Sequence, residues 1–211
     1  MHIRQFGIRL VRLKEEHIEM VRQWRNAQDI RAFMEYQDYI TPPMQQKWFH
    51  SLDPLRDFYF VIEKESQPVG LIHTSAIDWE KKTGHSGLFI WKREFQGTQV
   101  PVLASLSMVD FFFSFCTLQK LYAKVNTNNP VALKYNAQLG FKPAESADGK
   151  LFCLYELTKN DYQKATKRLH QLAETIGDDI HEIAMDNSLF ESLQSVHALN
   201  PKYSGGFVTL L

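Results

Sequence analysis

The sequence predicts an α/β (α+β) fold class: a mostly antiparallel central sheet holding one parallel strand pair, helices packed against it, and a helical C-terminal extension. Three observations carry this. Strand-like segments from Phe58 to Lys92, separated by short polar turns, read as an antiparallel meander. The order strand, long apolar helix, strand from His85 to Val125 demands a crossover, and a crossover makes its two strands parallel. Beyond Leu157 the composition shifts to helical spacing with more acidic residues, so residues 1–157 form the main domain and 158–211 the extension.

Taken in order, Ile8–Leu13 alternates at period two and predicts a half-buried strand. Lys14–Asn26 places Ile18, Val21 and Arg25 on one side at helical spacing, and Ala27–Met34 predicts a short second helix. Thr41-Pro42-Pro43 is a helix start, with a hydroxyl cap and proline in the first turn. Phe58–Glu63, Val69–Asp78 and His85–Lys92 are the meander strands, with turns at Lys64–Pro68 and Thr83-Gly84. Val102–Leu118 is apolar nearly all round and predicts a buried helix leading to the strand Leu121–Val125. Pro130–Gln138 is a helix stopped by Gly140, and Phe141–Ala147 and Lys150–Leu157 are strands joined through Asp148-Gly149. In the extension, Thr158–Thr175 presents Tyr162, Ala165, Leu169 and Leu172 on one side, and Ile180–Leu199 predicts a second helix. The apolar end Phe207–Leu211 predicts a strand added to a sheet edge or exchanged with a second subunit in a homodimer.

Bulk properties exclude several classes. The 211 residues carry 24 basic and 24 acidic side chains, so nothing points to nucleic acid. No apolar run is long enough to span a membrane, and Cys116 and Cys153 in apolar runs suit free thiols in a reducing cytoplasm. Asp178-Asp179 with His181 and Glu182 reads as a solvated helix start, so no metal site is expected. Chemistry concentrates at Phe95-Gln96-Gly97-Thr98-Gln99-Val100-Pro101, ahead of the apolar helix. The first amides of a helix lack internal partners and suit an anionic ligand, most simply a phosphate.

The order of parts up to Leu157 resembles the GNAT superfamily of acyl-CoA-dependent N-acyltransferases, in the branch of ribosomal-protein alanine and amino-sugar acetyltransferases. The segments that carry the likeness are Arg9–Leu13 followed by Val21–Asn26, Pro68–Ile72, Glu94-Phe95-Gln96-Gly97, and Asn129 with Ala132 and Leu139-Gly140-Phe141. The resemblance implies acetyl-CoA as cosubstrate, held in a splay between the strands His85–Lys92 and Leu121–Val125. Main-chain groups near Ile90 and Trp91 are then expected to pair with its pantetheine arm. The pyrophosphate is expected on Gln96, Gly97, Thr98, Gln99, Val100 and Val102, with Asn129 and Tyr135 beside the arm. It also implies a direct attack by an amine, for which His85 is the candidate base and Asn136 stands where many relatives place a tyrosine acid. Trp24, Arg25, Arg31, Met34 and His73 are acceptor-side candidates, although Trp24 and Phe33 also suit packing and Arg25 a buried ion pair. The family's loop has small residues where this chain has Gln99 and Pro101, and proline removes one amide donor. The expected acceptor is a small-molecule amine or amino sugar, with a protein N-terminus as the alternative and a non-catalytic acyl-CoA-binding protein as the competing class.

Overall fold

The computed structural model describes residues 1–146, 149–178, 180–200 and 208–210. It opens on a hairpin absent from the sequence-based expectation: β1 (His2–Gln5) pairs antiparallel with β2 (Ile8–Arg12). The two-residue turn has positive φ at both Phe6 and Gly7, the geometry whose twist matches that of the flanking strands. Asp178 holds this turn, accepting from the Gly7 amide at 3.1 Å and from Arg4 at 2.8 Å. Its carboxylate therefore ties down a strand turn instead of opening a helix.

Helices α1 (Glu15–Asn26), α2 (Gln28–Arg31) and α3 (Pro42–His50) follow, and the last is capped by Thr41, whose hydroxyl accepts from Met44. The expected second helix is shorter than its pattern, and Phe33 beyond it is exposed rather than packed. The meander is β3 (Phe58–Lys64), β4 (Gln67–Asp78) and β5 (Thr83–Ile90). Thr83-Gly84 lies inside β5 and not in a turn: Gly84 packs on Thr74 and Ile77, and the chain reverses earlier, where Lys82 has φ +57.

Helix α4 (Val100–Asp110) starts two residues before the apolar pattern because Pro101 fits its first turn. It widens into a π-helical turn over Phe111–Phe115 and stops short of Leu118, where Cys116 bridges to Leu199. Strand β6 (Lys120–Asn126) and α5 (Pro130–Leu139) come next, and Gly140 ends α5 with φ +98. The following strand is only β7 (Lys142–Pro143), paired with β8 (Phe152–Thr158). Gly149 has φ +68, as a turn requires, while Ala147 and Asp148 lie outside the described residues.

Helix α6 (Lys159–Ile176) buries Tyr162, Thr166 and Ala173 and leaves Leu172 exposed, so its inward stripe is rotated from the expected one. The helix expected over Ile180–Leu199 is instead β9 (Glu182–Met185) followed by α7 (Asn187–Ser195). Glu182-Ile183-Ala184-Met185 becomes a strand because β1 offers an open edge beside it. β10 (Val208–Leu210) then adds parallel to β9. The sheet runs β10-β9-β1-β2-β3-β4-β5-β6-β8-β7.

One face of this sheet packs on α4 and the π turn through Leu10, Phe58, Phe60, Ile62, Ile72, Leu106 and Phe112. Burying each such side chain contributes about 1.5–3 kcal/mol. The opposite face carries a smaller cluster, Leu13, Val21, Ile30, Val61, Leu71 and Trp91, under α1 and α3. Cys116 and Cys153 are both free and buried. Among the described residues no helix is long and apolar enough to cross a membrane, and no group of His, Cys, Asp or Glu is placed to hold a metal.

Candidate active site

The parallel pairing of β5 with β6 covers only Thr83–His85 against Lys120–Tyr122. Both strands continue, to Ile90 and Asn126, without further pairing. The pair therefore opens into a wedge, and the β5 edge inside it has no partner strand. Main-chain groups alternate in direction along a strand. Trp91 donates its amide to Val69 of β4, away from the wedge, while the Ile90 carbonyl accepts from the Gln96 side chain at 2.9 Å. Trp91 is buried, its ring stacked on Trp24 with centroids 6.1 Å apart.

The loop beyond β5 delivers the start of α4. Gly97 has φ +73 with open space where a side chain would begin. Thr98 accepts from the Val100 amide at 3.2 Å and donates to the Phe95 carbonyl at 2.8 Å, which fixes the turn. Leu103 donates to the Gln99 carbonyl. Among the described residues the amides of Gly97, Thr98, Gln99 and Val102 have no acceptor within the chain, and Pro101 contributes none. This cradle fits a phosphate-bearing ligand with one donor fewer than an all-amide turn. A hydrogen bond to a charged oxygen is worth about 1.5–3 kcal/mol.

Helix α5 locks this start from behind. The Tyr135 hydroxyl donates to the Pro101 carbonyl at 3.0 Å and also meets Ser105, and burial raises its pKa above the usual phenol value. Asn129 caps α5, accepting from Ala132 at 3.0 Å, and Asn136 donates one amide hydrogen to the Ala132 carbonyl at 2.8 Å.

The face under α1 and α3 carries the titratable groups. Strand register lines up Ser75, His85, Tyr122, Glu156 and Lys142 across four strands and into β7. His85 is exposed at the closed end of the wedge, the last paired position, its ring 5.5 Å from that of Tyr122. One row along, His73 stacks on Tyr59 at 4.7 Å and contacts Ser75 through Nδ1 at 3.2 Å. Its Nε2 lies against Gly87, where an added Cβ would come within 2.5 Å. Burial, then the proximity of His85, pushes the pKa of His73 down to about 4, so this ring is neutral at pH 7.

Trp24, Arg25, Arg31 and Met34 border the same face. Trp24 and Met34 pack at the edge of the smaller cluster. Among the described residues Arg25 makes no ion pair; it donates to the Tyr36 carbonyl at 2.9 Å. Tyr59, Ser75 and Tyr122 escaped the sequence reading. Alternation alone puts each on some face, and only the cross-strand register puts them beside the histidines.

With this geometry in hand, the comparisons are direct. Residues 8–142 match the model of the acetyltransferase (GNAT) domain. The chain belongs to that family and is on this ground an acyl-CoA-dependent acetyltransferase. Comparison with curated proteins finds no significant match. Among solved structures, RimJ of Mycobacterium smegmatis in complex with CoA-disulfide aligns with TM-score 0.63 at 17% identity, over 82% of this chain and 93% of that one. Spermidine N-acetyltransferase of Vibrio cholerae, in complex with CoA and spermine, aligns with TM-score 0.60 at 16% identity, over 74% and 98%. A domain from Methanocaldococcus jannaschii aligns with TM-score 0.62 at 18% identity, over 72% and 97%. At these identities the likeness is one of fold.

Proposed function

We propose that this chain moves an acetyl group from acetyl-CoA to a primary amine of a small molecule or amino sugar, in the cytoplasm, by direct attack. The observation that supports the reading best is the wedge between β5 and β6. Unpaired amides at the start of α4 stand beyond its β5 side, and His85 stands at its closed end, where the two strands part.

In this reading the main-chain N–H groups of Gly97, Thr98, Gln99 and Val102 hold the pyrophosphate, and the β5 edge near Ile90 aligns the arm. The thioester supplies an activated acyl carbon. His85 takes the proton of the attacking amine, the work of a general base. Neutral His73 lies beneath without adding a charge that would oppose the imidazolium formed on His85. Tyr135 is committed to Pro101 and Ser105, so the departing thiolate takes its proton from water, with the second amide hydrogen of Asn136 as a donor near the sulfur. A protein N-terminus is the second acceptor. It is favoured by exposed Phe33, Tyr36, Tyr39 and Met44, which offer a peptide an apolar rim.

Calorimetry with acetyl-CoA and thiol release over a panel of amines test the proposal. Binding with amine-dependent thiol release is expected. His85→Gln should lower kcat about a hundredfold, as loss of a general base does, while leaving acetyl-CoA affinity within about twofold of wild type. Equal turnover in the variant removes His85 from the mechanism, and absence of binding favours a non-catalytic protein.

A further inference from the structure

We propose that the acceptor site reads an anionic group, a carboxylate or phosphate ester carried by the amine substrate, through Arg25 and Arg31. The inference rests on the acetyl-transfer reading above and names its substrate class.

The starting observation is an unsatisfied cation. One terminal nitrogen of Arg25 bonds the Tyr36 carbonyl, and the other is buried with no hydrogen-bond partner. A guanidinium has five N–H donors and no acceptor, so a buried nitrogen of this kind without an oxygen opposite it is costly. Burial, and after it the like charge of Arg31 from the neighbouring α2, lowers the Arg25 pKa. Three acids of the surrounding segments are engaged elsewhere: Asp29 with Arg93 at 3.3 Å, Glu35 with Lys124, and Glu19 with Arg22 at 2.7 Å.

Two other arginines show what a settled cation looks like here. Arg22, three residues earlier on α1, is buried with both oxygens of Glu19, the Tyr39 hydroxyl and the Ile40 carbonyl around it. Arg12 also has one buried nitrogen without a partner, but its charge sits 4.0 Å over the Phe58 ring and its other end bonds two carbonyls. Of these three arginines, Arg25 is the one that combines an empty donor direction with a second arginine nearby on α2.

The location suits a substrate contact. Trp24 stacks on Trp91 and Asp29 pairs with Arg93, which fixes the end of α1 and α2 over the end of β5. Glu35 reaches Lys124 on β6, so the segment between these tethers crosses above the wedge. Arg25, Arg31 and Tyr36 lie along that crossing. An anion there satisfies the empty donors and relieves the repulsion, whereas a polyamine brings more positive charge to a site that already holds two.

The test compares acceptors that differ only in the anionic group: 2-phenylethylamine against phenylalanine, and glucosamine against glucosamine 6-phosphate, with spermidine as the polycation. The anionic member of at least one pair should show kcat/KM at least tenfold higher, and the pair that responds tells carboxylate from phosphate. Arg31→Gln and Arg25→Gln should bring that pair to parity. A second readout needs no turnover: inorganic phosphate titrated into the CoA-saturated protein, followed by NMR, should shift amides of Arg31–Tyr36, with affinity at least fivefold weaker in Arg31→Gln. Parity in the wild type, a preference that survives both substitutions, spermidine as the best acceptor, or phosphate binding indifferent to Arg31→Gln each overturns the inference. A wild-type protein that acetylates neutral amines alone defeats the anion site and leaves acetyl transfer standing. Absence of any transfer defeats the latter, and the phosphate titration still decides the former.

Discussion

Two groups of polar side chains lie on opposite faces of the sheet, and they are finished to different degrees. Behind the sheet, Asp110 accepts from Tyr162 at 2.7 Å and from His170 at 3.0 Å, and the other ring nitrogen of His170 donates to the Thr166 carbonyl at 2.9 Å. Both nitrogens of His170 face acceptors, which favours the protonated ring, and every member of the trio has its partner. These residues line a pocket of about 270 Å³ beside the π turn. On the other face, His85 is exposed, His73 is neutral, and Arg25 has a donor with nothing opposite it. The difference separates polar groups satisfied within the protein from polar groups that the proposed reaction would use.

The largest expected effect that tests this comparison is on stability. Asp110→Ala leaves a histidine cation and a buried phenol without their acceptor, and should cost about 3 kcal/mol of unfolding free energy in urea titration. A loss under about 0.5 kcal/mol means that the trio is solvated and dispensable. Gly87→Ala is the counterpart on the acceptor face. Its Cβ would sit 2.5 Å from His73 Nε2, so the ring must leave its stack on Tyr59. Overpacking of this kind costs about 1–3 kcal/mol; kcat should fall with it, and unchanged kcat would mean that the placement of His73 is irrelevant to turnover.

The smallest effect is the pH dependence, and the two histidines oppose one another. The Asp110 carboxylate and the Thr166 carbonyl outweigh burial and raise the His170 pKa above 6.5. Its stabilisation is therefore complete below pH 6.5 and is lost as pH rises through the folded value. His73 is depressed to about 4, so it costs stability as pH falls from 6.5 towards 4, where the unfolded chain takes up the proton first. Unfolding free energies of His170→Gln and His73→Gln against wild type from pH 4.5 to 9 should diverge in opposite senses; parallel curves contradict both assignments.

Most of the architecture was legible because it rests on local signals. Thr41-Pro42-Pro43, Asn129-Pro130 and Gly140 each mark a helix boundary with a chemistry of their own, and the structure puts boundaries at all three. The parallel pair followed from the length of the crossover alone. What stayed hidden depends on partners distant in sequence. Glu182–Met185 carries helical spacing and becomes a strand only because β1 has an edge to fill, and His2–Gln5 is too short to announce itself without that neighbour. At the candidate site, Gln96, Gly97 and His85 could be named from the resemblance and their place before or after a strand. The alignment of Ser75, His85 and Tyr122 could not, because register across β4, β5 and β6 is a property of the assembled sheet.

The pairing of β1 with β9 has a consequence for biosynthesis. Residues that touch across it, such as His2 and Glu182, are 180 positions apart in the chain. On the ribosome the first strand emerges long before the segment that covers its flank, and loop closure over that span is slow. For most of translation the nascent hairpin carries a bare hydrogen-bonding edge, and chaperone occupancy of the growing chain should fall only once Met185 has left the exit tunnel.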